Sequence, residues 1–215
     1  MFSKIFPKIH AEGYKFLVIA GIITIVLYSF SDFFGLIGFV ITIWVYYFFR
    51  DPDRVIIEDD NYLVSPADGE VIKVEEIEGP KALGLENKRF KKISIFMNVF
   101  DCHVNRTPCG GKIEEILYKP GKFFNASLDK ASEDNERNYF KIKDTQNNDI
   151  IVVQIAGLVA RRIVCESNKD QELNQGDRIG MIRFGSRADV YYEGYEPLVK
   201  VGQRAISGET LLAKK

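Results

Sequence analysis

The chain has 215 residues, is 46% hydrophobic and carries a formal net charge of −1. This charge excludes the basic excess of a typical nucleic-acid-binding protein, and the length allows one domain with a smaller appended segment. The three cysteines are an odd number without the spacing of a disulfide scaffold or a zinc site, and there are only two histidines, His10 and His103. We therefore expect a main domain in a reducing compartment, with no metal.

Two apolar stretches, residues 16–30 and 33–49, lie near the N-terminus and are separated only by Ser31 and Asp32. Neither has a polar face, which argues against helices buried in a soluble protein, and no small-residue cleavage site follows the first stretch as it would in a signal peptide. Each is slightly shorter than the roughly 20 residues that a spanning helix needs. The sequence predicts a membrane hairpin of two apolar helices within residues 1–50, which either spans the bilayer or dips into one leaflet.

Basic residues flank the predicted hairpin on both outer ends, with three lysines before it and two arginines after it. By the positive-inside rule both ends lie in the cytoplasm. The predicted localisation is the cell membrane, with the catalytic domain on the cytoplasmic side.

Residues 51–215 are predicted to form a compact β-barrel or sandwich, because short β-prone runs alternate with turn signals. Residues 150–153 are continuously apolar and are expected in a central strand, whereas residues 139–143 alternate and expose one face to water. The polar residues 126–138 are predicted to form a loop or a short helix. The predicted strands are residues 69–75, 91–99, 112–117, 139–143, 150–155, 162–166, 178–184, 190–193 and 198–201.

Gly185 and Ser186 follow the predicted strand at residues 178–184. Taken alone, this dipeptide is typical of an ordinary turn. It also suits a chain that attacks its own peptide bond, because glycine permits a strained backbone that brings the serine hydroxyl to the preceding carbonyl. Such an attack needs a base for the hydroxyl proton and donors for the developing oxyanion.

His103 is the one histidine of the β-rich domain, and histidine is the usual base at neutral pH. It follows an apolar strand, and Asp68 in a Pro-Ala-Asp-Gly turn is able to orient its imidazole. The residues alone leave the alternatives open. A lone histidine is most often structural, and a turn aspartate most often caps its own backbone.

Six motifs occur together along the chain. They are residues 49–52 (FRDP), 65–69 (SPADG), 101–108 (DCHVNRTP), 135–138 (NERN), 155–162 (IAGLVARR) and 184–186 (FGS). In this order, and with the preceding hairpin, they resemble the short form of the phosphatidylserine decarboxylase family over essentially the whole chain. The resemblance implies a mainly β domain that contains a swapped-hairpin biotinyl-like part.

The resemblance also implies an activity. Members of this family are zymogens that cut their own chain before such a serine, here between Gly185 and Ser186, and convert the serine into a covalent pyruvoyl group. Asp68 and His103 are implied as the assisting pair, and the pyruvoyl carbonyl as the electron sink of a carboxy-lyase that turns phosphatidylserine into phosphatidylethanolamine. No metal or diffusible cofactor is implied.

One position departs from the family pattern. Many longer members carry a second histidine where this chain has Arg106. Which base starts self-cleavage therefore stays open between His103 and another group acting with Asp68.

The phosphodiester of a phospholipid needs cationic or backbone donors, and Arg161, Arg162 and Arg187 are the predicted substrate-binding residues. Adjacent arginines are also common as plain surface charges. The NERN motif at residues 135–138 is expected to form a loop over the site.

Several alternatives remain at this stage. The same serine headgroup on ether-linked tails would make the chain an archaetidylserine decarboxylase. A membrane-bound serine hydrolase using Ser186, His103 and Asp68 would lack the usual Gly-x-Ser-x-Gly elbow. A non-enzymatic biotinyl-like scaffold would lack a lysine motif for modification. The expected partners are the bilayer and its phospholipid and no nucleic acid, and the oligomeric state stays open.

Overall fold

The fold comes from a computed structural model that describes residues 6–126, 134–158, 162–183 and 185–215. The chain divides into two compact units, Met1–Asp53 and Arg54–Lys215. Each unit is described by itself below.

The first unit is a hairpin of two helices, α1 (Gly13–Phe30) and α2 (Asp32–Phe48), which confirms the predicted helical pair. Ser31 caps α2 by accepting a hydrogen bond from Phe33 N at 3.3 Å. The two helices are close enough for the Thr24 and Thr42 hydroxyls to hydrogen-bond at 2.9 Å. Most outward side chains are apolar and exposed. Among the described residues, α1 alone is long and apolar enough to cross a membrane, while α2 is apolar but has 17 residues.

The second unit is mainly β, as predicted. Its strands are β1 (Tyr62–Val64), β2 (Gly69–Glu78), β3 (Arg89–Met97), β4 (Val104–Arg106), β5 (Gly111–Lys119), β6 (Arg137–Asp144), β7 (Asp149–Ala156), β8 (Ile163–Cys165), β9 (Glu172–Leu173), β10 (Arg178–Ile182), β11 (Ser186–Tyr192), β12 (Glu196–Pro197), β13 (Arg204–Ala205) and β14 (Leu211–Lys214). A 3₁₀ turn, Lys81–Leu83, lies between β2 and β3.

One antiparallel sheet of eight strands, in the order β13-β2-β3-β11-β7-β6-β5-β9, dominates this unit. Register shifts in the β2–β3 and β5–β6 pairs curl it into a half-barrel, because a bulged strand bends and twists more strongly. Two three-stranded sheets, β1-β14-β12 and β4-β10-β8, accompany it.

The two faces of the large sheet differ in what covers them. Alternate residues of β3 and β11, such as Ile95 and Ala188, point into the main core, and we call this the inner face. The opposite, outer face carries a smaller cluster that includes Tyr139, Val153 and Ile155. Every residue of β7 is buried, because its two faces meet these two clusters. This confirms the predicted central strand at residues 150–153.

Some predicted boundaries were wrong. Residues 198–201 form no strand, and β11 begins at Ser186 rather than at the predicted residue 190. The short strands β1, β4, β9, β12, β13 and β14 were not predicted. Strands of two to four residues are set by the partner that they pair with, so they leave little local pattern. Residues 127–133 of the predicted loop lie outside the described residues, and Asn138 belongs to β6.

Candidate active site

Ser186 is the first residue of β11 and lies between Met97 of β3 and Ala156 of β7. Its side chain is fully buried, and its hydroxyl donates a hydrogen bond to the thioether sulfur of Met97 at 3.7 Å. A thioether is a weak acceptor. The serine is therefore fixed by a rigid sheet while its hydroxyl is only loosely bonded.

The peptide bond before Ser186 has an unusual surrounding. Gly185 has φ of +59°, a left-handed conformation that favours glycine. A Cβ added at Gly157, which follows β7, would lie 2.1 Å from the Gly185 carbonyl oxygen and 3.0 Å from its carbon. Glycine at both positions thus lets one backbone approach the carbonyl that Ser186 would attack. The preceding Phe184 lies outside the described residues.

His103 directly precedes β4 and is fully buried. Its carbonyl accepts a hydrogen bond from Ile182 N at 3.2 Å, and its ring Nδ1 lies 3.0 Å from the Asp101 carbonyl oxygen. Because a carbonyl can only accept, Nδ1 carries the hydrogen of this bond. In a neutral ring Nε2 then keeps its lone pair, as a proton acceptor requires. The Asp101 carboxylate is itself bonded by Arg204 and by Asn98 N.

Asp68 is nearly buried, and its carboxylate is engaged by two groups. Arg54 Nη2 donates to both oxygens, at 2.9 and 2.7 Å, and Ser207 N donates to Oδ1 at 2.8 Å. The sequence analysis did not single out Arg54 or Ser207 as partners of this carboxylate. The role of Asp68 beside His103 stays a prediction.

The Pro66 carbonyl oxygen joins the aspartate turn to β4. It accepts hydrogen bonds from Arg106 N at 2.9 Å, Ser207 Oγ at 3.1 Å and Asn105 Nδ2 at 3.4 Å. Asn105 Nδ2 also contacts the Met97 sulfur at 3.6 Å, the sulfur that Ser186 contacts. Hydrogen bonds therefore connect the segments around Ser186, His103 and Asp68.

Arg106 occupies the position of the second histidine of longer family members. It is buried and extends toward the loop after β9, where Nη1 donates to the Gly176 carbonyl oxygen at 2.9 Å. Its described contacts thus serve to hold that loop.

The three predicted phosphate-binding arginines have different surroundings. Arg187 is fully buried and forms a two-bond pair with Asp189, at 2.7 and 2.6 Å, and its Nη1 donates to the Ala126 carbonyl oxygen at 3.4 Å. Burial alone lowers the pKa of Arg187, but the charge and hydrogen bonds of Asp189 raise it above its usual value. Arg162 is exposed, and Arg161 lies outside the described residues. Phosphate binding by these residues stays a prediction.

The NERN motif holds the backbone at the end of β7. Asn135 Nδ2 donates to the carbonyl oxygens of Ala156 at 2.7 Å and Phe124 at 2.8 Å. Glu136 Oε1 accepts from Ile163 N at 3.1 Å. The motif therefore supports the strand that pairs with Ser186. Whether it also covers a substrate stays a prediction.

The sequence analysis missed a group of buried amides on the inner face, formed by Asn105, Asn138 and Gln154. A signal was available, because Gln154 directly follows the apolar run of a central strand, where an amide is costly unless it is hydrogen-bonded. Elsewhere, none of the three cysteines, all of which the structure describes, forms a disulfide. Among the described residues, no group of three or more His, Cys, Asp and Glu side chains is placed to hold a metal.

Comparison with known proteins gives the family of the chain. A family model described as phosphatidylserine decarboxylase matches residues 41–213. The chain is 76% identical, over the full length of both chains, to a phosphatidylserine decarboxylase proenzyme of Pelagibacter ubique. It is 54% identical to the proenzyme of Ruegeria pomeroyi, over 95% of this chain and 94% of the relative, and 51% identical to that of Cereibacter sphaeroides, over 99% and 92%. The chain therefore belongs to the phosphatidylserine decarboxylase family and is a carboxy-lyase.

Proposed function

We propose that this chain is a proenzyme that cuts itself between Gly185 and Ser186 and then decarboxylates phosphatidylserine to phosphatidylethanolamine through a pyruvoyl group. One observation carries the proposal. Ser186, whose hydroxyl is buried, directly follows Gly185. Gly185 has a left-handed backbone conformation, and Gly157 closely approaches its carbonyl group. The names of the three relatives, all phosphatidylserine decarboxylase proenzymes, favour this substrate over a serine headgroup on ether-linked tails.

Self-cleavage proceeds in three steps: formation of an ester, elimination and hydrolysis. Ser186 Oγ loses its proton to a base and attacks the Gly185 carbonyl carbon, and the peptide C–N bond breaks to give an ester and a free amine. A base then removes the α-hydrogen of residue 186, the Cβ–O bond breaks, and Gly185 leaves as a carboxylate. One water hydrolyses the remaining dehydroalanine, releasing ammonia and leaving a ketone. The products are residues 1–185 and a shorter chain that begins with the pyruvoyl group.

The surrounding residues have separate roles in this proposal. His103 takes the serine proton at Nε2, because its Nδ1 is committed to the Asp101 carbonyl. Asp68, clamped by Arg54 and Ser207, holds its turn beside β4 and assists the reaction. The backbone at Gly157 lies close to the Gly185 carbonyl oxygen, and we assign the stabilisation of the oxyanion to backbone N–H groups of this segment.

The site can accommodate the pyruvoyl group that the family resemblance implies. Residue 186 is fully buried at the start of β11, and a Cβ added at Gly185 would meet no described atom within 4 Å apart from its chain neighbours. The pyruvoyl group supplies an electron-accepting carbonyl for loss of carbon dioxide. Among the residues of this chain, His103 returns a proton to the headgroup carbon.

We also propose that the helical hairpin holds the enzyme at the cytoplasmic side of the cell membrane. The support is the exposed apolar surface of α1 and α2 and the length and hydropathy of α1. An anchor raises the local concentration of a lipid substrate.

Of the predicted phosphate ligands, Arg162 is exposed, whereas Arg187 is already paired with Asp189. We therefore assign the phosphodiester contact first to Arg162.

An activity assay tests the proposed function. Purified wild-type protein is incubated with mixed micelles of phosphatidylserine, and phosphatidylethanolamine and carbon dioxide are measured. The matched control is Ser186→Ala, which removes only the hydroxyl. We expect product from the wild type and none from the variant. Equal product from both proteins, or turnover only with a serine headgroup on ether-linked tails, would contradict the proposal.

A further inference from the structure

We infer that Asn105, held in one orientation by Gln154, is a positioning residue that sets the geometry of Ser186 for self-cleavage. The inference rests on the proposed self-cleavage and adds two residues to it. Neither residue belongs to the predicted group of Ser186, His103 and Asp68.

The inference begins with three amide side chains on the inner face of the large sheet. Asn138 of β6 and Gln154 of β7 are directly opposite each other, and Asn105 comes from β4 in the neighbouring sheet. Asn138 Nδ2 donates to Gln154 Oε1 at 3.3 Å, and Gln154 Nε2 donates to Asn105 Oδ1 at 2.9 Å. All three side chains are at most 2% exposed.

This order of donors and acceptors fixes how each amide is turned. Gln154 uses its oxygen to accept from Asn138, so its nitrogen must face Asn105. Asn105 uses its oxygen to accept from Gln154, so its own NH₂ group must face the other way. A flipped Asn105 would put nitrogen against nitrogen at Gln154 and lose that bond.

The NH₂ group of Asn105 reaches the two elements that surround Ser186. It contacts the Pro66 carbonyl oxygen at 3.4 Å and the Met97 sulfur at 3.6 Å. The same sulfur accepts from the Ser186 hydroxyl at 3.7 Å. Asn105 therefore ties the aspartate turn, the sulfur and the serine into one connected set of bonds.

Burial of three amides costs free energy, so the arrangement calls for an explanation. Amides that leave water for an apolar core lose hydration, and hydrogen bonds only offset that loss. Neighbouring positions on this face hold Ile95 and Ala188, which fill space without such a requirement. A short amide chain that ends beside the reacting hydroxyl is the arrangement expected of a positioning group, since small misplacements of reacting atoms are costly in rate.

The main test is Gln154→Met, which keeps the length of the side chain and removes its hydrogen bonds. Full-length chains are made by cell-free synthesis with phosphatidylcholine vesicles, and the rate of appearance of the two cleavage products is followed on denaturing gels. We expect cleavage to slow by about tenfold, which corresponds to one ordinary hydrogen bond. Asn105→Ala should slow it more, and the double variant should be no slower than Asn105→Ala alone, because Gln154 acts through Asn105.

Gln175→Met is the matched control. Gln175 is also a buried glutamine, and its Nε2 donates to the carbonyl oxygens of Tyr62 at 2.7 Å and Pro108 at 3.1 Å. It is expected to lower the melting temperature and leave the cleavage rate unchanged. If Gln154→Met and Gln175→Met slow cleavage equally for equal loss of melting temperature, the role of Gln154 is structural only and the inference is wrong.

Gln154→Glu gives a second readout in a variant of nearly the same shape. A protonated carboxyl can donate to Asn105, whereas a carboxylate cannot. The cleavage rate of this variant, relative to wild type at the same pH, should rise as the pH falls, and that of Gln154→Met should not. Wild-type cleavage with unchanged rates in all Gln154 variants would overturn this inference alone. Absence of cleavage in the wild type would overturn the proposed function as well.

Discussion

Consecutive residues of β11 show how differently the two faces of one sheet are used. Ser186 points to the inner face, where its hydroxyl has a weak sulfur acceptor and neutral amides nearby. Arg187 points to the outer face, where it is locked to Asp189 by two short charged hydrogen bonds. Because side chains alternate along a strand, neighbouring residues hold the serine that we propose to react and an arginine that is fixed in an ion pair.

The difference indicates how the fold separates reactivity from stability. A hydroxyl that reacts needs hydrogen-bond partners that position it but do not hold it tightly. A neutral, weak acceptor meets both needs. A buried ion pair resists rearrangement, because breaking it leaves a charge without compensation. We therefore expect substitutions on the inner face to change the cleavage rate, and substitutions on the outer face to change the free energy of unfolding.

The largest effect on the cleavage rate is expected from His103→Ala. Loss of a general base typically costs roughly a hundredfold to ten-thousandfold in rate, so the uncut chain should accumulate. Time courses on denaturing gels measure the cleavage rate of His103→Ala, and Asp68→Ala is measured in the same way. Unchanged cleavage in both variants would show that neither residue assists, whereas a loss in Asp68→Ala alone would assign the base elsewhere.

Gly157→Ala tests the close approach to the scissile carbonyl. The added methyl group would start 2.1 Å from the Gly185 oxygen, so the end of β7 must move. Overpacking of this kind costs about 1–3 kcal/mol in stability, and we expect cleavage to slow on the order of a hundredfold through misplacement of the carbonyl. Gly110→Ala is the control, since its nearest contact would be an ordinary 3.6 Å. Similar cleavage rates in both variants would count against a role for Gly157.

Arg187→Met tests the outer face. It leaves Asp189 buried without its partner, and we expect a loss of about 3–5 kcal/mol in the free energy of unfolding. The double variant Arg187→Met/Asp189→Leu should recover most of it, because both charges are then absent. Chemical denaturation measures all three proteins. If Arg187→Met keeps full stability but loses lipid turnover, Arg187 binds substrate as first predicted and the comparison of the two faces fails.

The smallest expected effect is a change in how the free energy of unfolding declines at acidic pH. Asp149 on the outer face accepts hydrogen bonds from Lys88 and Lys143, both at 2.8 Å. Burial raises the pKa of Asp149, but these lysines outweigh it and hold the pKa below its usual value. The stabilisation is therefore complete above the unfolded pKa of about 3.9 and is lost as the pH falls through the lower folded value. Denaturation between pH 3 and 6 should show a shallower decline in Asp149→Asn. An equal decline would place the acid sensitivity elsewhere.

Much of the fold could be predicted from local pattern. The helical pair follows from two unbroken apolar stretches, and the central position of β7 follows from Ile150 to Val153. The start of β11 at Ser186 could not be predicted in this way. Arg187 and Asp189 are buried there as a pair, so a charged pattern that indicates a turn in isolation belongs to a strand in the folded domain.

The candidate site shows the same contrast between features with a local sequence pattern and features that depend on tertiary packing. Ser186, His103 and Asp68 could be predicted as site residues because their residue types suit the chemistry and their motifs resemble one family, and their roles stay a prediction. Arg54 and Ser207, which hold Asp68, lie 14 and 139 residues from it along the chain. Their role depends on tertiary packing, as does the link from Gln154 through Asn105 to the Ser186 region. Sequence spacing carries no signal for such contacts.

The intact mass of the purified, folded protein tests the central claim most directly. Self-cleavage predicts two chains, residues 1–185 and 186–215, with the shorter one lighter by one ammonia than the same residues bearing an N-terminal serine. Ser186→Ala should give one chain. A single uncut mass from folded wild-type protein, or a shorter chain that keeps its N-terminal serine, would contradict the account.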